Sequence, residues 1–255
     1  MARPFVIVLR AAGINCDEET QFAWESVGAR AESIHINELI RAPRRIDEAN
    51  IVTLPGGFSY GDDIAAGKVL ANLIKHHVKD ELARLVDRGG VLLGICNGFQ
   101  VLIRAGLLPG ADCGTAATLT VNDSGRYEDR WVRIAAHRSN CAFFERGDVF
   151  ECPAAHGEGK LLVEGGDAGL QALKRAGRVA MTYVAPDGSP PAYPDNPSGS
   201  VGNVAALTDA TGRILGIMPH PERNLVAVQR PDRTRDFNAE NAGPGFFASI
   251  VRTLA

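Results

Sequence analysis

A cysteine on a tight corner between a strand and a helix is the first residue that could do chemistry. The stretch V-L-L-G-I-C-N-G-F-Q-V-L (Val91–Leu102) places Cys96 after an apolar run and before a segment of helical spacing. Gly94 and Gly98 flank the cysteine, and without side chains they let strand and helix approach closely around one strained residue. This pattern predicts a nucleophile elbow that presents the Cys96 thiol at the carboxyl end of a sheet.

The same corner would favour nucleophilic chemistry in two ways. Cys96 lies at the N-terminus of the predicted helix, whose partial positive charge favours a thiolate over a thiol. The backbone N–H of Asn97 is free there to donate to an oxyanion. A lone cysteine is also often a buried structural residue, and a hydrolase or a redox protein could use the same corner. Residues elsewhere in the sequence must separate these alternatives.

A thiol nucleophile needs a base, and His220 is the histidine with the most informative surroundings. His220 and Glu222 stand in M-P-H-P-E-R, directly after the apolar run Ile214–Met218. Residues two apart in an extended segment point the same way, and the flanking prolines favour extended neighbours. We therefore expect an extended imidazole–carboxylate pair at a strand end. A loop histidine with a chance acidic neighbour is the alternative.

The remaining histidines are weaker candidates for a catalytic base. His76 and His77 lie together in a predicted helix, where a solvated face is the simpler interpretation. His35 ends a predicted strand and His137 sits in a polar turn, and neither has a reactive neighbour in sequence. His156 stands in H-G-E-G-K without an assigned chemical role.

A glycine-rich loop supplies the third part of the candidate site. L-P-G-G-F-S-Y-G-D-D (Leu54–Asp63) follows a predicted strand, and Gly56-Gly57 lets backbone amides turn toward a neighbouring site. We expect the strand that carries Cys96 to lie beside this one. A plain glycine-rich turn would have the same sequence. The loop lacks both the G-x-G-x-x-G and the G-x-x-x-x-G-K-[ST] spacing, so we exclude a nucleotide-phosphate loop.

Alternating strands and helices can hold these three parts in place. The Val91–Ile95 run is apolar throughout, as in a strand that is buried on both faces. Such an alternation predicts an α/β fold with a doubly wound, mostly parallel sheet. Strands are predicted at Phe5–Leu9, Ala31–Ile36, Ile51–Leu54 and Val91–Ile95, and helices at Asp17–Val27, Lys68–Arg88 and Phe99–Leu107.

The middle of the sequence has a different pattern, in which short strand candidates are separated by N-D-S-G, E-G-G-D and P-D-G-S. This pattern predicts an antiparallel β extension on the edge of the main sheet. Ser189–Ser200 is rich in Pro, Gly and Ser and is predicted to be a loop. We predict a single domain over residues 1–255 with a β-rich insertion around 115–200. The strand candidates are Ala117–Val121, Trp131–Ala135, Val149–Cys152, Leu161–Val163, Val179–Val184, Val204–Thr208 and Ile214–Met218.

Composition narrows the possible classes of function. The 255 residues carry a net charge of −3 and no basic block, which gives no support for a nucleic-acid partner. Five scattered cysteines without a C-x-x-C pair argue against a disulfide framework or a Cys-rich zinc site, and favour a reducing compartment. The first apolar run is short and closed by Arg10, as in a strand rather than a signal peptide. With no apolar stretch of spanning length, we expect a cytoplasmic protein without membrane or metal partners.

In order along the chain, P-G-G-F-S-Y-G-D-D, G-I-C-N-G-F-Q and P-H-P-E resemble the class I (triad) glutamine amidotransferases. Four further segments narrow the resemblance to the glutaminase subunits of phosphoribosylformylglycinamidine synthases. The resemblance covers nearly the whole chain and implies the α/β fold of class I amidotransferases. The four segments are N-C-D-E-E-T (Asn15–Thr20), G-F-S-Y-G-D-D-I-A-A-G, N-D-S-G-R-Y-E-D-R-W and A-H-G-E-G-K.

The resemblance implies a catalytic triad of Cys96, His220 and Glu222. Cys96 would attack the side-chain amide of L-glutamine to form a thioester, His220 would transfer protons, and Glu222 would orient the imidazole. Backbone N–H groups of Gly57 and Asn97 would hold the oxyanion. The implied substrate and oxyanion contacts are Gly56, Gly57, Phe58, Asn97 and Gln100. We interpret Cys16, which has no base in sequence, as structural, and expect His156 at a partner interface.

The resemblance also implies partners. Ammonia would pass to a separate large synthetase subunit, which uses ATP and Mg²⁺ to convert formylglycinamide ribonucleotide to formylglycinamidine ribonucleotide in de novo purine synthesis. A small assembly subunit would join the complex. No cofactor is implied in this chain itself.

Three other hypotheses remain open at this point. A triad glutaminase could serve another synthase, for imidazole-ring or pyridoxal-phosphate synthesis. A cysteine peptidase or chaperone-like hydrolase could use a similar elbow, although Gln100 and the His220–Glu222 pair argue against it. A non-catalytic binding module would require a decayed triad, whereas all three members are present.

Overall fold

Strands alternate with helices over the first half of the chain, as the hydrophobic periodicity predicts. The computed structural model describes residues 3–234 and 242–254. The predicted domain over 1–255 also contains residues 1–2, 235–241 and 255, which lie outside the described residues. The strands are β1 (Phe5–Arg10), β2 (Arg30–His35), β3 (Ile51–Leu54), β4 (Val91–Ile95), β5 (Ala117–Thr120), β6 (Glu128–Ala136), β7 (Val149–His156), β8 (Lys160–Val163), β9 (Val179–Val184), β10 (Val204–Thr208) and β11 (Ile214–Ile217). The helices are α1 (Asp17–Ser26), α2 (Ile36–Arg41), α3 (Lys68–His77), α4 (Lys79–Asp87), α5 (Asn97–Arg104), α6 (Asp167–Arg175) and α7 (Ala242–Arg252).

Nine strands form one sheet in the order β2-β1-β3-β4-β11-β10-β9-β6-β7, and β5 pairs with β8 in a separate two-stranded sheet. The pairs from β2 to β11 are parallel. From β11 onward, β10, β9, β6 and β7 pair antiparallel. The predicted α/β fold with a mostly parallel sheet and an antiparallel extension is therefore confirmed.

The central strands are short apolar runs because helices cover both faces of a parallel sheet. Every residue of β3 and of β4 is buried. Ile51 pairs with Val91 and Leu54 with Gly94, so the two strands end side by side. The expected neighbour relation between the glycine-loop strand and the Cys96 strand is thus confirmed, and it brings both loops to one edge of the sheet.

The strand β11 lies on the other side of β4, with Ile217 paired to Ile95. The carboxyl ends of three strands that are neighbours in the sheet, β3, β4 and β11, therefore lie side by side at one edge. In open α/β sheets this edge is where ligands bind.

The long helix predicted over Lys68–Arg88 is wrong in one respect, because it is two helices. Val78 has φ −137° and ψ 7° and separates α3 from α4. Basic Lys75, His76 and His77 occupy the last turn of α3, and acidic Asp80 and Glu81 the first turn of α4. This charge order complements the dipoles of two helices rather than one.

The helices α6 and α7 are among those that the sequence patterns did not predict. The short α6 contains Gly169, whose position leaves no room for a β-carbon, since one would lie 1.9 Å from the Glu164 carbonyl oxygen. The last helix, α7, packs on α1, where the Trp24 and Phe247 rings meet edge to face at 4.8 Å. The buried indole of Trp24 also donates to the Thr53 hydroxyl of β3 at 3.0 Å.

The stretch Ser189–Ser200 contains neither helix nor strand, as predicted. Its end is ordered by Asn196, which is buried and donates to the Ser200 carbonyl at 3.0 Å. The amide of Gly199 donates in turn to Asn196 Oδ1 at 3.1 Å. A local side-chain network therefore replaces secondary structure here.

Among the described helices, none combines the length and the apolar character that crossing a membrane would require.

Candidate active site

Cys96 occupies a strained backbone position between β4 and α5. Its φ of 50° and ψ of −104° lie outside the regions that L-residues normally adopt. Such a conformation costs about 1–3 kcal/mol, which the surrounding packing must supply. Gly98 permits that packing, because a β-carbon there would lie 1.9 Å from the Leu54 carbonyl oxygen of β3. The predicted elbow is present, and its glycines serve close approach as expected.

His220 and Glu222 form the expected pair, with Nδ1 and Oε1 2.6 Å apart and both side chains buried. The predicted extended conformation is wrong, because Pro221–Arg223 form a 3₁₀ turn. Pro221 stands at the first position of this turn, where its fixed φ and missing N–H cost nothing. The turn brings the carboxylate back onto the imidazole.

The carboxylate fixes the protonation pattern of His220. The Nδ1–H group donates to Glu222, so that Nε2 is the nitrogen available to exchange protons. Nε2 is buried and makes no hydrogen bond with any described residue. Burial alone would lower the pKa of His220, but the Glu222 carboxylate and the nearby Cys96 and Cys16 sulfurs raise it well above its usual value. A raised pKa makes His220 a stronger proton acceptor.

Cys16, which we interpret as structural, lines the same cavity as Cys96 and His220. Its sulfur lies within 4.8 Å of a ring nitrogen of His220 and accepts a hydrogen bond from Arg223 Nη2 at 2.9 Å. Burial raises the pKa of the Cys16 thiol, and the His220 and Arg223 charges only partly oppose this. Cys16 therefore remains a neutral neighbour of the imidazole.

Gly56 makes room for this arrangement. A β-carbon on Gly56 would lie 2.6 Å from His220 Cε1 and 3.1 Å from Cys16 Sγ. The second glycine, Gly57, has φ +138° and pairs with Ile14 in a short antiparallel bridge. This bridge fastens the loop after β1, which carries Cys16, to the loop after β3.

Asn97 ties the glycine-rich loop to the helix that follows Cys96. Its Oδ1 accepts from the Ser59 amide at 3.2 Å, and its Nδ2 donates to Asp62 at 3.2 Å. Asn97 begins α5, where a backbone N–H has no partner within the helix. The backbone amides of Gly57 and Asn97 remain the candidates for oxyanion donors.

Gln100 lines the same cavity as Cys96. Its Nε2 donates to the Glu158 carbonyl at 2.7 Å, and its Oε1 accepts from Asn97 Nδ2 at 2.9 Å. The side chain is thus held by the protein on both ends. Gln100 contributes to the wall of the cavity in a fixed orientation.

His156 is buried and lines the cavity, and its expected place at a partner interface stays a prediction. Its Nδ1 lies 3.1 Å from Asn122 Oδ1. The amide group of Asn122 donates to the Arg126 and His156 carbonyls, which leaves Oδ1 as the acceptor for Nδ1–H. Burial, together with the charge of His220, lowers the pKa of His156 to about 4. His156 is therefore neutral near pH 7.

These residues surround a cavity of about 190 Å³ at the carboxyl edge of the sheet. Phe58 and Tyr127 are about half exposed, and their ring centroids lie 6.3 Å apart. Sequence reasoning missed the contributions of Tyr127, Asp62 and Arg223. Arg223 follows directly on P-H-P-E, but no sequence pattern reveals that it reaches Cys16. The cavity is lined by Asn15, Cys16, Gly57, Phe58, Asp62, Ala66, Cys96, Gln100, Tyr127, Ala155, His156, Gly157, Glu158, His220 and Arg223.

Within the described residues, one group of three side chains has ligand atoms close enough to share a metal ion. Cys16, His220 and Glu222 place these atoms within 4.8 Å of one another. His220 Nδ1 and Glu222 Oε1 form a hydrogen bond with each other, as expected of a pair that transfers protons rather than of two metal ligands.

Comparisons with known proteins agree with this geometry. The family described as CobB/CobQ-like glutamine amidotransferase domain matches residues 3–252. The phosphoribosylformylglycinamidine synthase subunit PurQ of Dehalococcoides mccartyi is 42% identical over 236 residues, covering 91% of this chain and 89% of that protein. The PurQ subunit of Archaeoglobus fulgidus is 36% identical and covers 98% and 96%.

A solved structure gives the same result in three dimensions. A chain in the structure of PurLQS from Thermotoga maritima superposes with a TM-score of 0.75 at 28% identity, and the match covers 100% of both chains. A glutamine amidotransferase from Thermotoga maritima shares the fold, with a TM-score of 0.56 at 14% identity. The chain therefore belongs to the CobB/CobQ-like glutamine amidotransferases and, among them, to the family of PurQ subunits of phosphoribosylformylglycinamidine synthase.

Proposed function

We propose that this chain is the glutaminase subunit of a phosphoribosylformylglycinamidine synthase, and that Cys96, His220 and Glu222 are its catalytic triad. The observation that carries the proposal is the Cys96 elbow, which faces a buried His220–Glu222 pair across one cavity. A nucleophile, a base and a group that orients the base are what acyl transfer requires.

In the first half-reaction, the Cys96 sulfur attacks the side-chain amide carbon of L-glutamine. The thiol proton moves to His220 Nε2, and the carbonyl electrons move to the oxygen, where the amides of Gly57 and Asn97 donate to the oxyanion. When the tetrahedral intermediate collapses, the C–N bond breaks and His220 gives its proton to the leaving nitrogen. Ammonia leaves, and a γ-glutamyl thioester remains on Cys96.

In the second half-reaction, water attacks the thioester carbon and His220 takes its proton. The C–S bond breaks, the sulfur recovers a proton, and glutamate leaves. Glu222 keeps Nδ1 protonated throughout, so that Nε2 serves both transfers. We assign Phe58 and Gln100 to the walls that hold the glutamine, and Gly56 to the close packing of its loop against His220.

The ammonia passes to a separate synthetase subunit, which uses ATP and Mg²⁺ to convert formylglycinamide ribonucleotide to formylglycinamidine ribonucleotide. The names of the relatives support this partner, since they are subunits of that synthase. A small third subunit belongs to the proposed complex, as the letters PurLQS indicate for the Thermotoga maritima assembly. We place the complex in the cytoplasm, and the five free cysteines support a reducing compartment.

The test combines this chain with the synthetase and the small subunit from the same cell. With glutamine, ATP and formylglycinamide ribonucleotide, the complex should release glutamate and form the amidine. Cys96→Ala should abolish glutamate release, because no thioester can form. Ammonium chloride should restore amidine formation in the Cys96→Ala complex, because the synthetase then needs no glutaminase.

Two results would contradict the proposal. Glutamate release by the Cys96→Ala complex would remove the triad assignment. Glutaminase activity that responds to a different synthase, but not to this one, would leave the triad in place and reassign the acceptor.

A further inference from the structure

A second concave site lies apart from the active-site cavity and shares no lining residue with it. This surface cleft has a volume of about 650 Å³, and small-molecule sites commonly occupy about 300–1,000 Å³. It forms where β9 and the end of β6 meet α6 and the loop around Ser189–Pro191. The chemistry proposed for the triad does not use it.

The cleft gathers positive charge without a counter-charge. Arg138, Arg146 and Lys174 line it, and none of the three forms an ion pair with a described residue. No carboxylate lines the cleft. Cations held together without an acidic partner repel one another, and a bound anion would relieve that repulsion.

His137 lies near two of these cations, Lys174 and Arg146. Burial and the charges of Lys174 and Arg146 lower the pKa of its imidazole. Its Nε2 lies 2.7 Å from the Thr182 hydroxyl, which fixes the ring at the cleft wall. A neutral imidazole and a hydroxyl thus stand beside the cations, and both can serve as hydrogen-bonding groups for a ligand.

The remaining lining suits the uncharged part of a ligand. Pro190 and Pro191 offer rigid apolar surfaces, and Val179 and Val184 add to them. Asn203 supplies an amide that can donate and accept. Arginine recognises phosphate oxygens through two parallel N–H groups, whereas apolar walls accept a planar base.

We propose that this cleft binds a nucleoside phosphate, with Arg138, Arg146 and Lys174 on the phosphate and the proline-lined wall against the nucleoside. The cleft is a ligand site separate from the glutamine site. It gives the chain a means to sense a phosphorylated metabolite.

Calorimetric titration of the full chain with AMP, ATP, inorganic phosphate and adenosine tests the proposal at about 0.15 M salt, where weak surface attraction is screened. AMP or ATP should bind saturably, more tightly than inorganic phosphate, and adenosine should not bind. Arg146→Ala and Lys174→Ala should each weaken binding on the order of tenfold, as loss of a charged hydrogen bond does. Arg175→Ala is the matched control, since this exposed neighbour of Lys174 does not line the cleft.

Photolabelling with 8-azido-AMP gives a second measurement that does not depend on variants. The label should attach to peptides that contain Ser189–Pro191 or the β9 strand. The proposal is overturned by a lack of saturable AMP and ATP binding, by equal weakening in Lys174→Ala and Arg175→Ala, or by inorganic phosphate binding as tightly as AMP. Labelling confined to active-site peptides would overturn it as well.

Discussion

At the scale of single residues, two cysteines share one imidazole but have different surroundings. Cys96 lies at the N-terminus of α5 on a strained backbone, beside the cavity. Cys16 precedes α1, and its sulfur is occupied by the Arg223 guanidinium. Burial raises the pKa of the Cys16 thiol, which disfavours a second thiolate. These surroundings support our proposal that Cys96, rather than Cys16, is the nucleophile.

Cys16→Ala should lower kcat for glutamine hydrolysis by about tenfold, within the range that a misplaced acid–base group costs. The contact with Cys16 helps to raise the pKa of His220, so its loss should move the pH–rate profile to lower pH. Steady-state rates across a pH series would show this shift. Cys16→Ser keeps an acceptor for Arg223 and should lie closer to the parent, whereas an unmoved profile in Cys16→Ala would exclude a role for Cys16.

Glu222→Gln should lower the pKa of His220, because it removes the neighbouring negative charge that raises it. A raised folded-state pKa contributes stability that is fully present below the unfolded value and is lost as pH rises through the folded value. The variant should lose that dependence on pH. Imidazole ¹⁵N shifts over a pH series measure the change, and an unaltered His220 titration would argue against the ion pair.

At the scale of elements, the site depends on two loops and a helix that touch with almost no spare room. Gly98 of α5 lies against the Leu54 carbonyl, and Gly56 lies against His220. Neither glycine is needed for a positive φ at its own position. Both glycines are needed because they lack a side chain, so that neighbouring backbone and the His220 ring can pack directly against them. This close packing lets the ends of β3, β4 and β11 meet at one cavity.

Gly98→Ala should destabilise the fold by about 2–4 kcal/mol and reduce glutaminase activity, because the added methyl group overlaps backbone. Chemical denaturation measures the first effect. Gly245→Ala is the matched control, since Gly245 is an exposed glycine of helix α7 with open space around its missing β-carbon. That variant should gain up to about 1 kcal/mol from helix propensity. Equal stability of the two variants would contradict the steric explanation.

The central strands β3 and β4 could be predicted from the sequence, because each is a short apolar run that leads directly into a loop of the site. Val91–Ile95 matches β4 residue for residue, and Ile51–Leu54 matches β3. Burial on both faces keeps these runs almost entirely apolar, with Thr53 of β3 as the one polar residue. The Cys96 elbow was recognisable for the same reason, since its glycines and its strand are contiguous in sequence.

Three features could not be predicted, because they depend on backbone geometry or on contacts between residues that are distant in the sequence. The break at Val78 lies in an unbroken helical spacing, and only the order of charges marks it. The turn at Pro221–Arg223 is 3₁₀ rather than extended, because Pro221 allows both. The approach of Cys16 to His220 joins loops after β1 and β11, which no local spacing reports.

At the scale of the whole molecule, one sheet combines two kinds of pairing, and the site draws on both. The parallel part supplies Gly56, Cys96 and His220 at three strand ends. The antiparallel part returns through β7, which ends at His156 beside the same cavity. The β-rich extension is therefore part of the wall of the site.

His156 should make the whole molecule acid-sensitive. Its pKa is lowered to about 4, so the unfolded chain binds a proton between about pH 6.5 and 4 that the folded chain excludes. The free energy of unfolding should fall across this window by on the order of 3 kcal/mol from this group. His156→Asn keeps a donor for Asn122 and should show a smaller fall. Denaturant titrations at pH 7 and pH 4.5 measure the difference, and parallel losses in both proteins would contradict it.

The strands β4 and β11 are paired in the sheet but far apart in the sequence, so the site cannot form during translation until both have been synthesised. Leu92 pairs with Ile214, and Cys96 precedes His220 along the chain by 124 residues. At about 5–20 residues per second, a ribosome needs on the order of 10 s to travel from one to the other. A nascent chain during that time has its thiol but lacks its imidazole. Ammonia release would therefore begin only after the segment that carries His220 has been synthesised and has paired with β4.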